Sequence, residues 1–308
     1  MRFSRSTYVN AKQILNKNIY LLTRCCDNQE YSLLPSKVVN QVFAYAVAWA
    51  SKKYHVAIHV MCVMSNHWHS VITDTCGKLP EFKQEVHRIV AKCLNVKYGR
   101  SGYFWDNQKA GQTWLLDDDA IMDKMVYTMM NPVAAGLVQH QRCWPGLVTK
   151  PTDVCGRTFT IKRPKVYFRD EGGTMPEEVT LTMTRPAIYQ HLSDKQFTEL
   201  LQRRIAEREK EVHDDLRAQK RWFMGNQALK RLKRTDSPAT KRKRSRVNPK
   251  VASKNKKLRM AALEQLKCFA DAYEAARLKW KAGFRDVVFP AGTYAMRRFH
   301  GVPCETFT

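Results

Sequence analysis

Two histidines, His67 and His69, stand one residue apart in Met64-Ser65-Asn66-His67-Trp68-His69-Ser70-Val71-Ile72. On an extended strand, side chains at i and i+2 share a face, so both imidazoles can reach one metal ion. Further along the chain, Tyr127-Thr128-Met129-Met130-Asn131-Pro132 sets a phenol and an amide four residues apart, which puts both on one face of a helix. These residue types suit phosphodiester cleavage by a tyrosine. That chemistry needs a phenol aligned with the leaving oxygen and a divalent cation to polarise the phosphate. Two neutral imidazoles and one amide oxygen leave positions on an octahedral ion for phosphate oxygens and water. Mg²⁺ or Mn²⁺ suits the function, although imidazoles alone favour transition metals.

Each element also has a plainer reading. An H-x-H pair on a strand can be structural, a tyrosine in an apolar helix can be core, and Asn131-Pro132 can be a helix stop. Asp117-Asp118-Asp119 invites a metal reading, but acidic residues that begin a helix cap it and complement its dipole, and we assign the run to capping. Trp68, between the histidines, is expected to face the opposite side and pack in the core.

The elements that must position these residues follow from periodicity. Residues 18–24 and 55–64 predict strands, Asn66 a turn, and 67–73 a third strand. Val39, Phe43, Val47 and Ala50 predict a helix over 37–53, and 79–98 predicts another, ended near Gly99. A short strand over 112–116 precedes a helix over 117–130. The order β-α-β-β-α-β plus one helix is the ferredoxin-like split βαβ arrangement. The predicted fold class is therefore α+β, an antiparallel ferredoxin-like sheet with helices, followed by a mainly helical basic extension.

Beyond residue 150 the composition changes, and we divide the chain accordingly. Residues 1–150 form the catalytic domain, and 151–192 a short connector with strands over 158–168 and 179–183. Residues 193–235 form a charged helical region opened by the capping box of Ser193 and Gln196, and interrupted near Gly225-Asn226. Residues 236–259, with Lys241, Arg242, Lys243 and Arg244, have little to bury and predict a flexible basic linker. Residues 260–308 hold a last amphipathic helix and an aromatic-containing tail.

The net charge of +25, with pI near 9.8, points to a polyanionic partner. No apolar run reaches transmembrane length, and the basic N-terminus lacks the apolar core of a signal peptide. The charge therefore reads as nucleic acid rather than membrane. The excess is concentrated after residue 150. Nine cysteines with no C-x-x-C pair argue against a disulfide framework and a zinc ribbon, and predict reduced thiols in the cytoplasm.

The segment Val63-Met64-Ser65-Asn66-His67-Trp68-His69, followed by Gly102-Tyr103-Phe104-Trp105 and by Tyr127-Thr128-Met129-Met130-Asn131-Pro132-Val133-Ala134-Ala135-Gly136-Leu137-Val138, resembles the single-tyrosine HUH transposases. It is most similar to their REP-associated tyrosine transposase branch in bacteria. The resemblance covers about residues 1–150 in order and spacing. It implies His67, His69 and Asn131 as metal ligands and Tyr127 as nucleophile on single-stranded or hairpin DNA, including repeated palindromic elements. It further implies a 5′-phosphotyrosine intermediate with a free 3′-OH, strand transfer without a nucleotide energy source, a monomer or homodimer, and a nucleoid-associated location. Ser65 stands where the family often has proline, Trp68 where a small aliphatic residue is common, and Ser70 where leucine is usual. None of these departures removes a ligand or the nucleophile.

The basic helix and the 241–259 stretch are expected to grip DNA flanking the cleaved strand. Tyr103, Trp105 and Trp114 are candidates to stack unpaired bases, with core packing the competing role for each. Three rivals stand beside the transposase reading. They are a relaxase or replication-initiator nickase of the same chemistry, a catalytically silent DNA-binding protein, and an H-x-H metal hydrolase.

Overall fold

The computed structural model describes residues 13–15, 17–107, 110–169, 173–239 and 249–306. Eight residues with Tyr20, Leu21 and Leu22 buried at their centre form β1 (Asn18–Cys25), and helix α1 (Lys37–Tyr54) follows. The Ser36 hydroxyl caps α1 by accepting from the Val39 N–H, and His55 at φ 53° closes it in the left-handed region. Strands β2 (Val56–Val63) and β3 (His67–Asp74) make a hairpin, α2 (Leu79–Lys97) crosses back, and β4 (Gly111–Leu115) leads into α3 (Asp118–Ala134). These four strands lie in the order β2-β3-β1-β4, each antiparallel to its neighbours. This is the ferredoxin-like arrangement that the element order predicts.

The two faces of the sheet carry separate cores. Tyr20, Leu22, Trp68 and Ile72 pack with α1 and α2, whereas Leu21, Val60, Val71 and Leu115 pack with α3. The period-2 alternation of each strand makes this division. Trp68 is 1 % exposed and edge-on to Phe43 in the first core, as expected.

Helix α3 differs from expectation at its end. It runs through Pro132 to Ala134 rather than stopping at Met130. Proline removes one N–H, but the following turn closes through Ala135 N–H to Asn131 O and Leu137 N–H to Pro132 O, with Gly136 at φ 70°. Asp117 caps the start by accepting from the Ala120 N–H at 2.8 Å, so the acidic run does cap.

The extension is built onto the domain. Strands β5 (Thr158–Lys162) and β6 (Glu178–Thr182) pair, and Val179 and Leu181 complete the core over α1. The strand expected to reach residue 168 stops at Lys162, because Pro164 has no N–H for the ladder. The Ser193–Gln196 capping box opens α4 (Asp194–Ala218), whose Phe197, Leu201, Val212 and Leu216 pack in the α3 core. A turn leads to α5 (Gly225–Arg231).

The flexible linker expected through residue 259 is not what its last residues form. Val251–Ala252 is β7, a parallel fifth strand on β4, and Asn255 caps α6 (Lys256–Lys281). The open edge of β4 supplies the reason, since the N–H groups of Trp114 and of Leu116, just after the strand, donate to Lys250 O and Ala252 O. A third core joins Phe269, Tyr273 and Ala276 of α6 to Phe289, Val302 and Met296 of α7 (Ala295–His300). Arg298 ties α7 to Glu81 of α2. Among the described residues no helix is long and apolar enough to cross a membrane.

Candidate active site

The site begins in the β2–β3 turn. The Met64 N–H donates to His67 O, and the neighbouring loop latches on through Cys26 N–H to Asn66 O and Leu33 N–H to Ser65 O. Alternation along β3 then places His67, His69 and Val71 on the α3 side. The two imidazole centroids lie 4.8 Å apart, nearly perpendicular at 82°.

Each ring is oriented through Nδ1. Asn66 donates from Nδ2 to Gln29 O at 3.1 Å, which turns its carbonyl Oδ1 to His67 Nδ1 at 2.6 Å. A carbonyl oxygen can only accept, so His67 carries its proton on Nδ1 and its lone pair on Nε2. His69 Nδ1 lies 2.8 Å from the hydroxyl of Thr23, its register partner on β1. Metal-binding histidines are commonly held in this way, through the nitrogen that does not bind the metal.

Helix α3 brings Tyr127 to the pair. Its ring centroid lies 5.2 Å from that of His69 at 73°, and the residue is 43 % exposed, so the phenol stands at the surface of the site. The Lys124 ammonium, one turn earlier, lies 5.4 Å from the Tyr127 centroid. Asn131 is buried one turn beyond Tyr127 on the same helix. Among the described residues no three His, Cys, Asp or Glu side chains cluster as metal ligands. The imidazoles of His67 and His69 and the amide of Asn131 are donor types that fit a divalent ion.

Other histidines serve the fold. His59 bonds Thr184 O and Thr73 Oγ1, both at 2.7 Å, and burial pushes its pKa down to about 4. His87 packs between Trp68 and Trp105, and burial holds its pKa well below the usual range.

The candidate base-stacking residues separate. Trp105 is buried, with its indole N–H on His87 O at 2.9 Å and its ring against Phe104 and His87. Its ring packs in the core, the competing role that the sequence allowed. Trp114 is partly buried against the same core, while Tyr103 is 82 % exposed. Lys241, Arg242, Lys243 and Arg244 lie outside the described residues. Sequence reasoning missed Thr23, Asn66 as a ring-orienting group, and Lys124. Asn66 could have been found from its place beside His67, and Lys124 from its spacing to Tyr127. Thr23 needed the strand register.

No protein-family model and no curated protein matches the chain. Among solved structures, the REP-associated tyrosine transposase bound to a REP hairpin aligns at 17 % identity and a TM-score of 0.40, over 47 % of this chain and 84 % of that one. A candidate transposase of Deinococcus radiodurans aligns at 14 % identity and a TM-score of 0.26, over 33 % of this chain and 82 % of that one.

Proposed function

We propose that this chain is a metal-dependent DNA transposase that cleaves and rejoins single-stranded or hairpin DNA through a phosphotyrosine on Tyr127. The observation that carries the reading is the junction of the rings of His67, His69 and Tyr127, from a strand and a helix far apart in sequence. The motif resemblance and the net charge of +25 support it.

His67, His69 and Asn131 would hold the ion, with Mg²⁺ or Mn²⁺ the expected metal. When bound, the ion supplies Lewis acidity toward the scissile phosphate. Tyr127 Oη forms a bond to phosphorus while the bond from phosphorus to the 3′ oxygen breaks. In net terms the phenolic proton becomes that of the released 3′-OH. Rejoining is the reverse, with a 3′-OH attacking the phosphotyrosine and the phenol restored. Lys124 adds positive charge where the attacking oxygen and the phosphate carry negative charge. Asn66 and Thr23 hold the imidazoles in place.

The test is denaturant-resistant adduct formation on labelled single strands and hairpins with Mn²⁺ or Mg²⁺. Wild type should form the adduct, and Tyr127→Phe should abolish it while leaving DNA affinity near that of wild type. Adducts persisting in Tyr127→Phe would remove Tyr127 as nucleophile. Strand hydrolysis persisting without an adduct would favour a metal hydrolase instead.

A further inference from the structure

The stretch between α4 and the basic linker belongs to none of the motifs, yet its two ends are bonded to segments adjoining the elements that carry the site. Lys220, at φ 53°, turns the chain out of α4, where the Arg221 N–H donates to Leu216 O. The Met224 and Gly225 N–H groups then donate to Gly136 O and Leu137 O, just past the end of the tyrosine helix α3. Helix α5 follows and buries Leu229 in the α3 core. At the far end the Tyr31 N–H donates to Asp236 O, and Arg234 pairs with Glu30 at 3.3 Å. The Glu30 loop is the one that bonds the turn before His67, through Asn66 Nδ2 to Gln29 O.

Residues 220–236 therefore run from the end of the tyrosine helix to the loop beside the histidine strand. Within them are six basic residues, Lys220, Arg221, Lys230, Arg231, Lys233 and Arg234, against the single acid Asp236. Arg234 is engaged by Glu30 and lies over the Tyr98 ring, while the other five are exposed. Among them Trp222 is 91 % exposed. Packing gives no reason for an exposed indole that follows Lys220 and Arg221 in the chain. Tyr103 is the next most exposed large ring, and Arg100 connects its loop to the same Glu30.

Cations for phosphates and uncovered aromatic faces for unstacked bases are what a flexible single strand requires. We propose that residues 220–234 form a rim that binds the single strand of nucleic acid flanking the phosphate at Tyr127. Trp222 stacks one base there, and Lys230, Arg231 and Lys233 hold phosphates. The inference rests on the strand-cleaving reading of the site for the identity of its occupant.

The experiment is equilibrium binding of the full-length protein to a fluorescein-labelled mixed-sequence single strand across a salt series. Trp222→Ala should weaken binding about tenfold, the loss of one stacked base, and Trp222→Phe should recover most of it. The triple variant Lys230→Ala, Arg231→Ala, Lys233→Ala should reduce the slope of log affinity against log salt by about 2. Thermal unfolding of Trp222→Ala should match wild type, since an exposed indole contributes little to packing. Unchanged affinity in Trp222→Ala together with an unchanged salt slope in the triple variant would overturn the rim. So would loss of binding to phosphatidylserine vesicles with strand binding intact, which would make the surface a membrane contact. Strand binding by wild type without any Tyr127 adduct would sink the cleavage reading but not the rim. Adducts with unaltered binding in both rim variants would do the reverse.

Discussion

Asn66 decides which nitrogen His67 offers, and Thr23 occupies Nδ1 of His69. Asn66 is fixed at both ends of its amide, so its hold on His67 Nδ1 is a directed contact rather than a passing one. Loss of such an orienting partner typically weakens metal binding by about 10–100-fold. Asn66→Ala and Thr23→Val should each weaken Mn²⁺ binding by that amount in calorimetric titration, with no change in the number of sites. Wild-type Mn²⁺ affinity in both variants would remove the orienting role. The residue pairing is half legible from sequence. Asn66 adjoins His67, but Thr23 meets His69 only because β1 and β3 pair in one register.

At the scale of the element, α3 carries both Tyr127 and Asn131, and its N-terminus is tied down by a cap. Asp117 accepts from the Ala120 N–H and also meets Ser253 Oγ beyond β7, so one carboxylate joins the helix start to the added strand. Removing such a cap costs about 1 kcal/mol or somewhat more. Asp117→Ala should lower unfolding stability by about 1–2 kcal/mol in urea, whereas Asp119→Ala, exposed in the first turn, should stay within about 0.5 kcal/mol. Equal losses in the two variants would mean that charge at the helix start, not the cap bond, is what matters. The cap was readable from the aspartates ahead of an apolar run. The continuation past Pro132 was not, because it depends on carbonyls of the preceding turn finding donors at 135–137.

For the whole molecule, His59 joins the extension to the sheet. It sits at the irregularity in β2, takes Thr184 O on one nitrogen and Thr73 Oγ1 on the other, and is fully buried. Burial favours the neutral ring and outweighs the bond to the Thr184 carbonyl, which favours the charged one. An unfolded histidine takes up a proton near pH 6.5, whereas His59 in the fold resists until about pH 4. Between these values the unfolded state binds more protons, so stability falls as pH falls, by about 1.4 kcal/mol per pH unit. His87, also held neutral by burial, acts in the same direction. Asp74, whose pKa burial raises, acts oppositely just above the usual carboxylate range. The slope of unfolding free energy against pH from 6.5 to 4.5 should be shallower in His59→Gln by about one proton's worth. Parallel profiles for wild type and variant would show that His59 does not titrate on unfolding.

The sequence by itself determined what depends on short-range periodicity. An alternation of two put His67 and His69 on one strand face, and a period of 3.6 put Tyr127 and Asn131 on one helix face. The order of those elements was enough to specify the ferredoxin-like sheet. Only the tertiary structure decided what depends on register and on groups distant along the chain. It set the 5.2 Å approach of Tyr127 to His69, and it turned Trp105 into the core while leaving Trp222 in water. It also paired Val251–Ala252 with the open edge of β4. The physical reason is that periodicity states which way a side chain points, whereas burial and contact depend on what arrives opposite it.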